Sequence, residues 1–218
     1  MIELNKLCSI LFIIVMVLTG DFMERDYEKI LNVLDEKRLK PNIHFASLYV
    51  LYYECLKDSL IDLPKTFFCK HTEFKDGNII FHESEEYKEN VRKLDNHIEN
   101  ASFKWFIMVG AVSEEDYFYF KKLRKFRNKI VHELMLCLSE GFNKNEIKYL
   151  VELIEIYRKI EKWWINEVEI PTSGDIYDPY DSENVIGGQG LILEIIQDIL
   201  INDGQDSKAL LLEFLKQY

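Results

Sequence analysis

Residues 42–62 constrain this chain more than any other stretch. His44, Phe45, Leu48, Val50, Leu51, Tyr52, Tyr53, Cys55, Leu56, Leu60 and Ile61 put apolar or aromatic groups on nearly every side of a helix. A helix with no polar face must lie in the middle of a core, so a central helix with others packed around it is expected. Pro64 should close it. One charge, Glu54, interrupts the pattern, and a carboxylate among apolar neighbours needs a cationic partner.

The remaining periodic segments supply the surrounding helices. Asp21 can cap a helix that reaches about Lys40 and ends at Pro41, with Tyr27, Ile30, Leu31 and Leu34 at helical spacing. Ser84 caps a polar helix to about Asn100, and a more apolar one follows through Ala111. Ser113 opens the next like a capping box, with Asp116 where Glu is usual, and Gly141 stops it after Glu140. Asn143 begins a long helix to about Glu169, ended by Pro171. Only around Asp76-Gly77 does the pattern change, where TEF and IIF read as a small β-hairpin.

With only nine glycines and four prolines in 218 residues, an all-β chain cut by frequent turns is excluded. The expected architecture is all-α: a bundle of four to five main helices with a small β-hairpin insertion and two short C-terminal helices. Four regions follow. Residues 1–22 are an apolar N-terminal segment, and 23–170 a helical domain with its hairpin near 71–82. Residues 171–190 form an acidic loop, and 191–218 hold helices at about 191–201 and 207–217. The run LCSILFIIVMVL in the first region is shorter than the roughly twenty residues that span a bilayer. It suits a docking helix, an anchor, or an extension ahead of a start at Met23; membrane attachment is the less favoured reading. Its length also fits a signal-peptide core, but Leu18-Thr19-Gly20 is a poor cleavage site. Cys8, Cys55, Cys69 and Cys137 form no CxxC pair, which suits reduced thiols in a cytoplasmic protein.

The formal net charge of −11 repels nucleic acid at long range, so any such role needs a local reversal of sign. One exists. Lys121, Lys122, Arg124, Lys125, Arg127 and Lys129 crowd into a single helical segment with no acid between Tyr117 and His132. On the wheel for residues 113–140, Arg127 falls inside the apolar arc of Phe120, Leu123, Phe126, Ile130 and Leu134. A guanidinium cannot shed its charge, so Arg127 needs an acid or a phosphate, and Glu54 is the acid on offer. Asn128 and His132, four apart, share the arc's border.

The stretch Arg127-Asn128-Lys129-Ile130-Val131-His132, within FRNKIVHEL, resembles the signature of HEPN domains: Arg, a polar residue, a short spacer and His, late in a helix of an all-α bundle. The resemblance implies metal-independent RNA cleavage or RNA binding. In the catalytic case His132 is general acid or base, Arg127 holds the scissile phosphate, and Asn128 orients His132 or the phosphate. Attack by the 2′-hydroxyl then leaves a 2′,3′-cyclic phosphate and a 5′-hydroxyl. Lys121, Arg124, Lys125 and Lys129 supply an RNA-binding surface, and Glu54 supports Arg127. Such members work as homodimers, some as toxins or defence effectors with an antitoxin protein partner; no cofactor or metal is called for. The alternative is a non-catalytic RNA- or protein-binding module, with Arg127–Glu54 a plain ion pair and His132 a helix-border histidine.

Weaker patterns have simpler readings. Cys69, His71 and His82 lack a fourth zinc ligand. Asp175, Asp178, Asp181 and Glu183 do not have calcium-loop spacing. Gly187-Gly188-Gln189-Gly190 precedes a helix, where backbone N–H groups can take an anion, but with no strand before it and no Lys-Ser/Thr after it the stretch reads as a hinge, and Trp163-Trp164 as core and edge packing.

Overall fold

Asp35 decides where the central helix begins. Its side chain accepts a hydrogen bond from the Lys37 backbone N–H at 3.0 Å, a cap that ends α1 (Glu24–Leu34) and starts α2 (Glu36–Phe67). The single helix expected from Asp21 to Lys40 is thus two. The computed structural model describes residues 24–75, 77–174 and 180–202, so the proposed Asp21 cap, the apolar N-terminal run and the last helix lie outside the described residues.

The two prolines meant to terminate helices sit inside α2. Pro41 deprives the Lys37 carbonyl of its usual partner, but both residues are exposed and water can replace the lost bond. Pro64 falls in the last turn, where the helix runs only to Phe67 before the Phe68 N–H closes onto the Pro64 carbonyl. The centre of α2 is as buried as its composition demands: Leu48, Tyr49, Tyr52, Tyr53, Leu56 and Leu60 are all 2% exposed or less.

Around α2 stand α4 (Ile98–Met108), α5 (Glu114–His132), α6 (Leu134–Glu140), α7 (Lys144–Trp164) and α8 (Gly188–Asn202). The short α3 (Glu85–Asn90), capped by Ser84, is separated from α4 by a 3-10 turn at Arg92–Leu94, so the polar helix expected to reach Asn100 stops early. Strands β1 (Thr72–Lys75) and β2 (Asn78–Phe81) pair antiparallel, Thr72 opposite Phe81 and Lys75 opposite Asn78, across a two-residue turn that places Gly77 at φ +79°. The all-α bundle with a hairpin insertion is therefore the observed architecture.

The helix expected over 113–140 breaks at Glu133, which separates α5 from α6. No glycine or proline marks this break. It lets α6 turn to pack along α1, where Asn32 Nδ2 donates to the Ser139 carbonyl at 2.8 Å. Gly141, at φ +74°, ends α6 as expected. A π-helical turn (Ile165–Glu169) follows α7 and a last turn holds Pro171 (Ile170–Thr172). Trp164 is buried and Trp163 meets Trp105 and Phe106 edge-on. Among the described residues no helix is long and apolar enough to cross a membrane, and Cys55, Cys69 and Cys137 are free thiols.

Candidate functional site

The rotation of α5 is set at its start. Ser113 Oγ accepts from the Asp116 N–H at 3.1 Å while Asp116 Oδ2 accepts from the Ser113 N–H at 2.8 Å, and Lys159 of α7 binds the other Asp116 oxygen at 2.7 Å. With that end fixed, Tyr117, Phe120, Leu123, Phe126 and Ile130 face the core. Arg127 faces α2.

There it meets Glu54. Arg127 Nε donates to Glu54 Oε1 at 2.8 Å, Nη2 donates to the same oxygen, and Lys57 takes Oε2. The guanidinium also lies over the Tyr53 ring, 5.7 Å from its centre. Burial pushes the Glu54 carboxyl up, but the hydrogen bonds from Lys57 and Arg127 outweigh it and hold the group below its ordinary range. Each misplaced charge of the sequence explains the other.

Asn128 links this pair to the neighbouring face, its Oδ1 accepting from Arg127 Nη1 at 3.1 Å. That face opens on a groove of about 690 Å³ between α5 and α7, lined by Lys122, Lys125, Phe126, Asn128, Lys129, His132, Glu133 and Tyr149. His132 is exposed and is the last residue of α5. Arg127 does not line the groove. The motif's arginine and histidine thus point to different surfaces of one protomer, joined through Asn128.

The basic residues divide in the same way. Lys125 and Lys129 line the groove, with Lys129 Nζ held by Glu146 at 2.9 Å. Lys122 lines it as well, its Nζ resting 4.1 Å from the centre of the Phe118 ring. Arg124 turns instead to α4, where it hydrogen-bonds Asn100 and lies 3.7 Å from Glu99, and Lys121 lies over Tyr117. Sequence reasoning missed Tyr149 and Phe126 as parts of the site. Phe126 read as a core position and Tyr149 carried no signal of its own, and only the packing of α7 against α5 brings the two to one groove.

Elsewhere the weaker patterns acquire definite roles. Gly187-Gly188-Gln189-Gly190 is a cradle for the Glu161 carboxylate of α7, which accepts from the Gly190 N–H at 3.0 Å and from Tyr157 Oη at 3.1 Å. A Cβ on Gly190 would overlap that carboxylate. Burial pushes the Glu161 carboxyl above its ordinary range, against the hydrogen bonds it receives. His71 and His82 lie 6.1 Å apart between ring centres, and His82 meets Glu73 at 3.2 Å. Among the described residues no group of three His, Cys, Asp or Glu could hold a metal ion. Asp181 closes a turn onto Glu183 and Asn184, while Asp175 and Asp178 lie outside the described residues.

Comparisons of the chain with models of known protein families, with curated proteins and with solved structures find no match.

Proposed function

We propose that this chain is a metal-independent endoribonuclease of HEPN type, acting in the cytoplasm as a homodimer through the α5 face, in the manner of a toxin or defence effector. The observation that carries the reading is the groove itself. The His132 imidazole and the Asn128 amide share it with Lys122, Lys125 and Lys129, in a chain whose net charge is −11. In this mechanism His132 takes the proton of the ribose 2′-hydroxyl or returns one to the leaving 5′-oxygen. Asn128 positions the phosphate, and Arg127, oriented by Glu54, supplies charge to the developing phosphorane. Because Arg127 and His132 of one protomer face apart, the arginine acting on a given phosphate comes from the second copy.

The direct test is cleavage of a defined single-stranded RNA by purified protein, with and without EDTA. Chelation should leave the rate unchanged, and His132→Ala should lower it by about 100-fold or more, the scale of losing a general acid or base. Metal-dependent cleavage, or full activity in His132→Ala, would refute the mechanism. A second reading, a binding module without cleavage, is favoured by the hold of Glu54 on Arg127, and RNA binding by a wild-type protein that cuts nothing would establish it.

A further inference from the structure

Tyr149 gives the groove a feature that charge alone does not. It projects from α7 and is half-buried, packed against Phe126 with ring centres 5.4 Å apart, and it lines the same cavity as Lys125, Asn128 and His132. Among the described residues no hydrogen bond ties its hydroxyl, so the ring is held by packing alone. The cavity lies in the 300–1,000 Å³ range of sites that enclose a small organic ligand. An aromatic wall beside a lysine, an amide and an imidazole is what an unpaired nucleotide requires. The base lies on the ring, and its phosphate reaches the cation. A base inside a duplex cannot present its face in this way.

We propose that Tyr149 is the stacking platform for one unpaired base of the RNA, so that the groove takes single-stranded RNA and rejects duplex. The inference rests on the ribonucleic-acid reading of the α5 face and adds to it a specificity-determining residue from another helix. Lys125 is the cation for the adjoining phosphate: among the described residues it has no ion-pair partner, whereas Lys129 is engaged by Glu146.

The experiment measures, by fluorescence anisotropy, binding of a labelled RNA of about ten nucleotides and of its blunt duplex to the full chain. Wild-type protein should prefer the single strand. Tyr149→Leu should weaken single-strand binding by about 5- to 150-fold, the range for losing one aromatic stack, and leave duplex binding unchanged. Tyr149→Phe should bind as wild type, since the face and not the hydroxyl is used. Equal affinity for the two RNAs, or a Tyr149→Leu loss that falls equally on both, overturns the platform. Lys125→Glu separates the two levels. If it weakens RNA binding while strand preference is absent, only the platform fails; if no RNA binds and Lys125→Glu changes nothing, the ribonucleic-acid reading falls and takes the platform with it.

Discussion

Arg127 spends three of its five N–H groups inside the protomer, two on Glu54 and one on Asn128. Two are not engaged among the described residues, so a guanidinium already oriented by its carboxylate keeps donors for a phosphate. Glu54 is the shared anion that holds both Arg127 and Lys57 in place. Glu54→Ala would leave Arg127 and Lys57 without their shared anion in a partly buried site, and should lower stability by about 1–3 kcal/mol in urea unfolding. Because the folded protein holds this carboxyl below its ordinary range, its contribution is present above that range and is lost as pH falls through the folded value. The gap between wild type and Glu54→Ala should therefore narrow in acid. A gap that widens there would show that the pair is not what holds Arg127. The Arg127–Glu54 pairing was legible in the sequence because two charges in apolar patterns each demanded a partner.

At the level of elements, the helices were legible and their ends were not. Periodicity reports which face is buried: Phe120, Leu123, Phe126 and Ile130 of α5 are buried as the pattern indicates, but Leu134, placed in the same arc, is exposed because the break at Glu133 turns α6 away. Breaks depend on competition between local chemistry and packing. Pro41 fails to end α2 because it and the carbonyl it orphans are exposed. Glu133 breaks α5 from α6 with no local signal, since the gain lies in contact with α1, remote in sequence. The glycine-rich start of α8 read as a hinge for a related reason: its anion is a side chain of α7. That cradle has a measurable consequence. The folded Glu161 carboxyl titrates above its ordinary range, so the stability it contributes is full below that range and is lost as pH rises through the folded value. Glu161→Gln keeps the shape and an acceptor for the Gly190 N–H without the buried charge. As pH rises above the ordinary carboxyl range the variant should lose less stability than wild type, as read from urea midpoints. Parallel curves for the two proteins would remove Glu161 from the account. Hydrogen exchange should place the difference in α8, whose N-terminal turn this carboxylate holds.

For the whole molecule, the proposed mechanism turns on assembly. Residues five apart on a helix diverge by about 140°, and Arg127 is turned into the bundle while His132 is not. A two-fold partner relieves this, because an isologous interface brings a residue of one copy beside a different residue of the other. The surface next to His132 is suited to such contact. Val131, Leu134, Met135 and Leu136 are all at least 43% exposed where α5 gives way to α6, a run of apolar side chains beside the groove. Joining two copies there would also bring two basic α5 segments to one cleft and concentrate positive charge in a molecule that is acidic overall. The expected state is a homodimer, visible as a concentration-dependent mass in sedimentation equilibrium. Met135→Glu, which buries no charge in the monomer, should shift that equilibrium toward monomer without loss of helical content. Cleavage should fall together with the dimer fraction. A wild-type chain that stays monomeric at micromolar concentration would leave the bundle and the Arg127–Glu54 pair as they are, but it would leave each His132 without the second arginine and count against the ribonuclease reading.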